Sequence, residues 1–581
     1  MIAGNDSTRG DARRVLSGSR ALVETLLLEG VEVIFGYPGG AIIPVYDALY
    51  DYQERLRHVL VRHEQGALHA AQGYARVSSR VGVCMVTSGP GATNTVTGLA
   101  DAMADSTPLV LVTGQVGSAL LGTNAFQEVD IIAITRPVTK WNYQVRRAAE
   151  IPRVLSRAFY IARSGRPGPV LVDITKDAQV EMAPFCPGPV LGARGYVPYP
   201  PPDARQVEAA AALIREARRP MVLFGQGVML GGAEAEFRAF VEKSGMPAAS
   251  TLLGLSTLPV DHPLYVGLLG MHGNYAPNIK NKDCDLLVAV GMRFDDRVTG
   301  NPLEFGKNAR VIHLEIDPAE VNKIIRADVP VVGDVKETLP MLTGRIAPGE
   351  YAGWIEEFRA CARVEERETI RPAVQPLDDA LHMGEVARAV SRAYDDDAIL
   401  VTDVGQQQVF ACRYFGYRRP RSVVTSGGLG TMGFGLPAAI GARLGAPGRE
   451  VCLVAGDGGL QMTIQELGTV AQLDIPVKII LMNNGYLGMV RQWQELFYHK
   501  RYAFTEIQNP DFGCIARAHR IAYRLVERRE ELPAAIREMK EHAGPFFLEV
   551  RVMKEENVFP MVPVGAAVED ILLNGVTPPL S

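Results

Sequence analysis

Residues 451–484 read VCLVAGDGGLQMTIQELGTVAQLDIPVKIILMNN, and this stretch decides the fold of its part of the chain. It opens with a short apolar run and breaks at Gly456-Asp457-Gly458. It then continues as a helix-like segment and returns to an apolar run that ends in Asn483-Asn484. Short apolar runs on either side of a helical segment predict a strand–turn–helix–strand unit and therefore a parallel sheet.

The polar residues that close these two strands are candidate ligands. Because the carboxyl ends of parallel strands meet at one edge of a sheet, we expect Asp457 and Asn484 to lie close together. Their oxygens suit a magnesium or calcium ion that also holds substrate phosphates. The glycines beside Asp457 allow the backbone to approach a diphosphate, and the following helix N-terminus favours its charge.

Length and composition exclude several classes of protein. At 581 residues, the chain is expected to form roughly three to four domains. It is 47% hydrophobic and 22% charged, as globular proteins are, and has no apolar run near the length of a membrane span. A net charge of −5 gives no electrostatic case for nucleic-acid binding. We therefore expect neither a nucleic acid nor a membrane as partner.

Cysteine usage predicts a reducing compartment. The seven cysteines are scattered, odd in number and form no C-x-x-C pair. The first 17 residues are polar and lack the apolar core of a secretory signal. We expect a short disordered lead over residues 1–14 and a bacterial cytoplasmic protein.

The remaining chain divides into three α/β blocks separated by linkers. Each block alternates apolar runs with helix-like segments, and a Pro/Gly-rich stretch, CPGPVLGARGYVPYPPPD, separates the first two. The predicted segments are a first domain at 15–185, a linker at 186–203, a central domain at 204–348, a linker at 349–376, a third domain at 377–551 and an irregular tail at 552–581.

GDG followed at this distance by NN resembles the signature of thiamine diphosphate (ThDP) enzymes. In that family, a glutamate on a second domain contacts the aminopyrimidine ring of ThDP and promotes removal of the reactive proton. Residues 58–67, HVLVRHEQGA, read as a buried strand that ends in an acid and is followed by a helix, and Glu64 is the matching residue. The alternative for Glu64 is an ordinary acidic residue at a helix start.

Within the ThDP enzymes, the chain resembles the catalytic subunit of acetohydroxyacid synthase, also called acetolactate synthase, over nearly its whole length. The segments that carry this resemblance are FGYPGGAIIPVYDAL, SGPGATN, AFQEVDIIAITRPVTKWN, RPGPVLVDITKD, GMRFDDRVTG, GLGTMGFGLPAAIGA and NNGYLGMVRQWQELFY. The resemblance implies an α/β fold of three doubly wound parallel-sheet domains in the pyruvate-oxidase-like arrangement. The first would bind the pyrimidine of ThDP, the central one would contact FAD, and the third would bind the diphosphate and Mg²⁺.

The resemblance also implies roles for single residues. Gly40 lies near the reacting carbon, Gln127 near the intermediate, and Lys176 in the substrate channel. Arg293 handles the carboxylate of the second 2-ketoacid, and Trp493 favours 2-ketobutyrate as that substrate; the alternative for Trp493 is a core aromatic. The ThDP contacts are Glu64, Gln407, Gly430, Met432, Gly456, Asp457, Gly458 and Asn484. Mg²⁺ is held by Asp457, Asn484 and the backbone carbonyl of Tyr486.

A second set of residues resembles the FAD contacts of the family. These are Arg163, Gly225, Gly227, Thr251, Leu252, Gly270, Met271, His272, Gly291, Arg293, Asp295 and Asp334. Taken alone, a glycine after an apolar strand is ordinary turn chemistry. RFDDR at 293–297 is more specific, because the FAD-free catabolic acetolactate synthases lack it.

The implied activity is decarboxylation of pyruvate and transfer of the hydroxyethyl group to pyruvate or 2-ketobutyrate, on the route to valine, leucine and isoleucine. Three alternatives stay open: a flavin-dependent pyruvate oxidase, an FAD-free catabolic acetolactate synthase, and a non-catalytic ThDP-fold protein. The family implies a homodimer or homotetramer and a small regulatory subunit as partner. The sequence leaves open the quantitative substrate preference, feedback and herbicide sensitivity, and the choice between dimer and tetramer.

Overall fold

The computed structural model of the chain describes residues 14–188, 190, 192 and 195–575. Three six-stranded sheets follow one another along the chain, and every pairing within them is parallel. The predicted fold class, three α/β domains built on parallel sheets, is confirmed. The predicted lead lies outside the described residues except for Arg14.

The N-terminal sheet has the strand order β3-β2-β4-β5-β7-β6, and β1 and β8 form a separate antiparallel pair. The strands are β1 (Val15–Ser17), β2 (Val33–Tyr37), β3 (Arg57–Leu60), β4 (Gly82–Val86), β5 (Leu109–Gln115), β6 (Trp141–Val145), β7 (Pro169–Thr175) and β8 (Met182–Pro184). The helices are α1 (Gly18–Leu28), α2 (Ile43–Tyr50), α3 (Glu64–Ser78), α4 (Pro90–Thr93), α5 (Val96–Ala104), α6 (Ile131–Thr135), α7 (Ile151–Arg163) and α8 (Lys176–Val180).

The central sheet has the order β11-β10-β9-β12-β13-β14. Its strands are β9 (Pro220–Phe224), β10 (Ala248–Ser250), β11 (Tyr265–Leu268), β12 (Leu286–Val290), β13 (Arg310–Glu315) and β14 (Val329–Val332). Its helices are α9 (Ala204–Glu216), α10 (Gly227–Leu230), α11 (Glu234–Ser244), α12 (Tyr275–Lys280), α13 (Asp296–Thr299) and α14 (Val335–Thr343). Counted within the domain, this is the order 3-2-1-4-5-6 that is typical of dinucleotide-binding sheets.

The C-terminal sheet has the order β16-β15-β17-β18-β20-β19. Its strands are β15 (Ile399–Thr402), β16 (Val423–Val424), β17 (Val451–Gly456), β18 (Lys478–Asn483), β19 (Ala522–Val526) and β20 (Phe546–Arg551). Before it come α15 (Ala352–Glu365) and α16 (Arg371–Val374), and around it lie α17 (Met383–Ala393), α18 (Gln406–Tyr414), α19 (Gly435–Gly445), α20 (Asp457–Met462), α21 (Leu467–Leu473), α22 (Gly488–Phe497), α23 (Phe512–Ala518) and α24 (Leu532–Glu541).

The N-terminal and C-terminal sheets share one topology. Counted within each domain, both have the strand order 2-1-3-4-6-5. The order reverses between β2 and β4 in the first sheet and between β15 and β17 in the third. Because ligands of open α/β sheets bind at the carboxyl ends of the strands beside such a reversal, each domain has a defined candidate location. Among the described helices, none is long and apolar enough to cross a bilayer.

The segment 349–376, which we expected to be a linker, is mostly helical. Its helix α15 continues into a π-helical turn at Glu366–Ile370 and then into α16. Trp354 and Phe358 on α15 are buried, and the Trp354 indole N–H donates to the carbonyl of Pro220 at 2.8 Å. These contacts explain the difference, because α15 covers one side of the central sheet as part of its core.

The described part of the predicted tail, residues 552–575, contains a 3₁₀ helix at Val568–Asp570 and is packed against the rest of the molecule. Val558, Met561 and Val562 are buried. At its start, Glu556 Oε1 lies 2.9 Å from His382 Nδ1, and its Oε2 accepts from Met383 N–H at 3.0 Å. Asp378 lies 3.1 Å from the other ring nitrogen of His382. The hydrogen bond that the His382 ring donates to Glu556 is the main cause that raises the pKa of His382 to about 9.

Replacing His382 by Gln should destabilise the protein in a pH-dependent manner. Because folding raises the pKa of this histidine, its contribution is complete below pH 6.5 and is lost as the pH rises through about 9. We expect a loss on the order of 2 kcal/mol at pH 6 and little loss at pH 9.5. Thermal unfolding at both pH values measures this difference, with His519→Gln as the control. An equal effect of His382→Gln at both pH values would contradict the assignment.

Candidate active site

The carboxyl edge of β17 and β18 brings Asp457 and Asn484 together, as the strand–turn–helix–strand pattern predicts. The two strands are paired in parallel, and each residue directly follows its strand. Asp457 Oδ2 accepts from Gly485 N–H at 2.8 Å, and Asn484 Oδ1 accepts from Tyr486 N–H at 3.1 Å. Gly485 turns the chain here with φ +69°. The carboxylate therefore lies directly against the loop that carries the other two predicted ligands.

Asn509 organises this edge, and it was not predicted from the sequence. Its Nδ2 donates to Asp457 Oδ2 at 2.6 Å and to Asn483 Oδ1 at 2.9 Å, while its Oδ1 accepts from Gln461 at 3.0 Å. Burial raises the pKa of Asp457, and the contact with Asn509 opposes that rise. The segment QNPDF around Asn509 shows only turn chemistry, so its position against Asp457 depends on the tertiary fold.

The donor atoms at this edge suit a hard cation. They are one carboxylate, one amide oxygen and one backbone carbonyl, and Mg²⁺ usually takes few protein ligands and completes its shell with phosphates and water. Among the described residues, no cluster of three His, Cys, Asp or Glu side chains forms a metal site. The predicted Mg²⁺ site would therefore depend on a single carboxylate and on neutral oxygens. Its residues fit the ion in chemical type.

The loop from β16 to α19 carries Gly430 and Met432. Its second half is held by Asp403, whose carboxylate accepts from the N–H groups of Gly433 at 3.1 Å and Gly435 at 2.9 Å. Burial raises the pKa of Asp403 to about 6. Gly430 has φ +71°, and a Cβ added to it would have no neighbour within 4 Å. This loop therefore presents open space beside the half-buried Met432.

Gln407 and the two glycines of GDG pack tightly within the same edge. A Cβ on Gly456 would lie 2.9 Å from Gln407 Oε1, and one on Gly458 would lie 2.7 Å from Leu487 Cδ2. A side chain at either position would therefore make the end of the Gln407 or Leu487 side chain shift. That these two glycines also allow the backbone to approach a diphosphate remains a prediction.

Glu64 is the first residue of α3, four positions after β3 ends at Leu60. Its Oε2 accepts from Asn94 Nδ2 at 3.0 Å. The backbone just before it is held by Glu466 of the C-terminal domain, whose Oε1 accepts from Arg62 N–H at 2.9 Å and His63 N–H at 3.0 Å. Neither Asn94 nor Glu466 was predicted. Glu466 lies in the stretch 451–484, so the backbone before Glu64 is held by the domain that also carries Asp457.

Gly40, Gln127 and Lys176 lie in loops or at helix starts of the N-terminal domain. Gly40 follows β2, is exposed, and has no neighbour within 4 Å of an added Cβ. Gln127 has φ +59° in a loop whose Phe126 side chain is 88% exposed. Lys176 is the exposed first residue of α8.

A cavity of about 1300 Å³ is lined by residues of all three domains. Met432 and Trp493 line it from the C-terminal side. Its wall also includes eleven of the twelve residues predicted to contact FAD: Arg163, Gly225, Gly227, Thr251, Leu252, Met271, His272, Gly291, Arg293, Asp295 and Asp334. Gly40, Glu64, Gln127 and Lys176 do not line it, and neither do Gln407, Asp457 and Asn484. The predicted site residues therefore fall into two groups, those on the cavity wall and those away from it.

The twelfth residue, Gly270, does not line the cavity but directly precedes Met271, which does. It has φ +111°, and a Cβ on it would lie 2.4 Å from the carbonyl oxygen of Arg297. Gly225 and Gly227 are required in a similar way, because a Cβ on either would lie 2.6 Å from the backbone of Gly291. Gly225 and Gly227 therefore allow the turn after β9 to contact the turn after β12, at the strand-order reversal of the central sheet.

Two polar groups of the wall fit a dinucleotide. Burial lowers the pKa of His272 to about 4, and its Nδ1 has no hydrogen-bond partner among the described residues. Glu315, at the end of β13, was not predicted; burial raises its pKa to about 7. Its Oε1 accepts from the N–H groups of Ile316 at 2.9 Å and Asp317 at 3.0 Å. Asp295 and Asp334 instead accept backbone N–H groups as the N-caps of α13 and α14.

Arg293 and Trp493 line the same cavity. Arg293 Nη2 donates to the carbonyl of Ala104, the last residue of α5, at 3.1 Å. Trp493 is half-buried on α22 and packs edge-on against Phe497, with ring centroids 5.6 Å apart. The alternative that Trp493 is only a core aromatic does not account for its place on the cavity wall.

Three family models match consecutive parts of the chain. The N-terminal thiamine pyrophosphate (TPP) binding domain of TPP enzymes matches residues 16–134, their central domain matches 207–342, and their C-terminal TPP binding domain matches 403–550. The three matches cover the three sheets in the same order.

Curated relatives match nearly the full length. The chain is 45% identical to the acetolactate synthase large subunit of Corynebacterium glutamicum, over 97% of this chain and 91% of the relative. It is 42% identical to the acetolactate synthase large subunit of Lactococcus lactis, over 96% of each chain. It is 44% identical to the acetolactate synthase isozyme 2 large subunit of Escherichia coli, over 96% of this chain and 99% of the relative.

Replacing Asn509 by Ala should weaken Mg²⁺ binding at the Asp457 edge. The change removes both hydrogen bonds that orient Asp457 and Asn483, and loss of a residue that orients a metal ligand typically costs about 10–100-fold in metal affinity. Titration of Mg²⁺ in the presence of excess ThDP, followed by tryptophan fluorescence, measures the half-saturation concentration. Asn308→Ala, which removes an exposed amide that donates to the carbonyl of Lys282, is the control. An unchanged Mg²⁺ requirement would show that Asp457 is oriented without Asn509.

Proposed function

The chain belongs to the acetolactate synthase large subunits, a family of ThDP-dependent enzymes, and on that premise we propose that it is a biosynthetic acetohydroxyacid synthase. It decarboxylates pyruvate and transfers the hydroxyethyl group to pyruvate or 2-ketobutyrate. The products, 2-acetolactate and 2-aceto-2-hydroxybutyrate, lead to the branched-chain amino acids. The observation that carries this proposal is the shared cavity, which Arg293, Asp295 and Arg297 of the RFDDR segment line together with Trp493.

The ThDP and Mg²⁺ residues are proposed from the third domain. When bound, ThDP supplies the carbon nucleophile and accepts the electrons of decarboxylation. Asp457, Asn484 and the Tyr486 carbonyl would hold Mg²⁺, and the helix N-terminus at Asp457 would face the diphosphate charge. Met432 would support ThDP from the loop that Asp403 holds, and Gly40 and Gln127 would lie beside the reacting carbon.

Glu64 is the proposed proton-sharing group. Its Oε2 accepts from Asn94, and the backbone before it is fixed by Glu466, so its carboxylate has a defined orientation. Gly91 lies beside the other carboxylate oxygen, where an added Cβ would be 3.4 Å from Oε1. We propose that Oε1 shares a proton with the aminopyrimidine ring of bound ThDP, and that Asn94 keeps Oε2 turned away.

Arg293 and Trp493 would select the acceptor 2-ketoacid. The planar guanidinium of Arg293 suits a carboxylate, and its hydrogen bond to Ala104 fixes its direction. Trp493 offers contact area for the extra methylene of 2-ketobutyrate, which is worth only about 1–3 kcal/mol. Together they would favour a carboxylate substrate with a short aliphatic chain.

FAD is proposed as the second cofactor. The strand order of the central sheet, the close turns of Gly225, Gly227 and Gly291, and the unpartnered Nδ1 of His272 support a dinucleotide in the cavity. A buried carboxylate, Glu315, closes β13 at its wall. The biosynthetic synthases carry RFDDR and the FAD-free catabolic ones lack it. A bound FAD would therefore distinguish this chain from the FAD-free relatives.

The two separate groups of site residues support a homodimer as the minimum active unit, in an assembly that is a homodimer or a homotetramer. Gly40, Gln127 and Lys176 do not line the cavity of Met432 and Trp493. A second chain would supply the missing group. Relatives named as large subunits imply a small regulatory subunit for those proteins, and we propose one here, in a bacterial cytoplasmic enzyme. The predicted domain boundaries remain proposals.

A product assay with purified protein, ThDP, Mg²⁺ and FAD tests the function. Pyruvate and 2-ketobutyrate supplied together under nitrogen should give both acetohydroxyacids, with the 2-ketobutyrate product favoured. Glu64→Gln should bind ThDP but lose most of this activity, because the carboxylate that shares the proton is gone. Acetate or acetyl phosphate that forms only with oxygen or a quinone would instead indicate a pyruvate oxidase.

Trp493→Leu should reduce the preference for 2-ketobutyrate while acetolactate formation remains largely intact. The expected loss of preference is roughly 10–100-fold, since the contact with one methylene is removed. The ratio of the two products in competition measures it. Trp141→Leu, which changes a half-buried tryptophan that does not line the cavity, is the matched control. Equal loss of both products would refute the specificity role.

A further inference from the structure

The loop between β16 and α19, residues 425–434, is attached to the N-terminal domain by its first half. We call this segment the Met432 loop. Arg76 of α3 donates to the carbonyl of Thr425, and its guanidinium lies 5.7 Å from the centre of the Phe434 ring. The same Arg76 pairs with Asp105, the C-cap of α5, at 2.5 Å. Both side chains of this pair are almost completely buried.

Asp105 holds two successive backbone N–H groups of the Met432 loop. Its Oδ2 accepts from Gly427 at 3.0 Å, and its Oδ1 accepts from Gly428 at 2.6 Å. A Cβ on Gly428 would lie 2.9 Å from Asp105 Oδ1, so the loop packs directly against the carboxylate. Hydrogen bonds from N–H groups to a buried carboxylate are shorter and stronger than neutral ones.

Asp101, one turn earlier on α5, holds the hydroxyl groups of the loop. Its Oδ1 accepts from Thr431 Oγ1 at 2.7 Å and from Ser426 Oγ. Thr431 N–H donates to Ser426 Oγ at 2.9 Å, which closes a small ring of contacts directly before Met432. Asp101 is fully buried.

The end of α5 also holds Arg293. The carbonyl of Ala104, directly before Asp105, accepts from Arg293 Nη2 at 3.1 Å. Ala104, Asp105, Arg293 and Met432 all line the same cavity. One helix end of the N-terminal domain therefore fixes a residue of the central domain and a loop of the C-terminal domain.

We propose that Asp101 and Asp105 are positioning residues that fix the Met432 loop to the end of α5 and so set the distance between Met432 and Arg293. The inference rests on the roles proposed above for those two residues. Besides supplying Glu64, the N-terminal domain thus has a second role. It holds Met432, which supports ThDP, and Arg293, which binds the acceptor, in a fixed relative position. Neither aspartate touches the reacting atoms in this proposal.

Asp105→Asn tests the proposal, and Asp285→Asn is its matched control. Asp285 also accepts two successive backbone N–H groups, those of Arg218 at 2.7 Å and Arg219 at 2.9 Å, but it does not line the cavity. The side-chain amide of Asp105→Asn has one acceptor oxygen, so it can accept from only one of the two N–H groups. It also no longer forms the ion pair with Arg76. We expect Asp105→Asn to raise the Kd for ThDP, at saturating Mg²⁺, about 10-fold or more. We also expect it to alter the near-ultraviolet circular dichroism of bound ThDP, while Asp285→Asn leaves both unchanged.

A second pair of variants decides the question if Asp105→Asn does not fold. Asp101→Ala removes the acceptor of Ser426 and Thr431, whereas Asp101→Asn keeps an acceptor oxygen at the same place. Weak ThDP binding in the first and recovery in the second would support positioning. Normal ThDP affinity and circular dichroism in folded Asp105→Asn or Asp101→Ala would overturn it. Because ThDP binding is read without turnover, failure of the wild-type product assay would count against the proposed function and not against this inference.

Discussion

The contact of α3 with α19 is the constraint on which the arrangement of the N-terminal and C-terminal domains depends. A Cβ on Gly73 would lie 2.0 Å from the carbonyl oxygen of Ala438, and one on Gly441 would lie 1.8 Å from that of Ala70. The two helix backbones therefore touch, and no larger residue fits at either glycine. Because α3 begins at Glu64 and α19 follows the Met432 loop, this contact also fixes the positions of Glu64 and of the Met432 loop.

Buried carboxylates fix the loops around that contact. Glu466, Asp403 and Asp105 each accept two backbone N–H groups from loops that carry or precede predicted site residues. A buried carboxylate without partners would cost several kcal/mol, and the N–H groups offset that cost. Burial still raises the pKa of each of the three. Loops held in this way keep their shape without a ligand, which is the preorganisation that an active site needs.

Much of the fold and the location of the site could be predicted from the sequence, because both follow from local pattern. Apolar runs that end in GDG and NN specify parallel strands, and parallel strands put Asp457 and Asn484 at one edge. The partners of these residues could not be predicted in the same way. Asn509 and Asp105 act through tertiary contacts, and their own sequence neighbourhoods show only turn and helix chemistry. The glycines of the central domain were predicted as cofactor contacts, whereas Gly225 is also required by packing against Gly291.

The shared topology of the outer domains gives a physical reason for the two separate groups of site residues. The helices α3 and α19 each follow the second strand of a sheet with the order 2-1-3-4-6-5, so they are equivalent elements of equivalent domains. Their contacts are reciprocal, with Gly73 of α3 against Ala438 of α19 and Gly441 of α19 against Ala70 of α3. Within one chain, Gly40, which follows β2, and Phe126 are exposed. In the homodimer proposed above, a second chain would cover this surface.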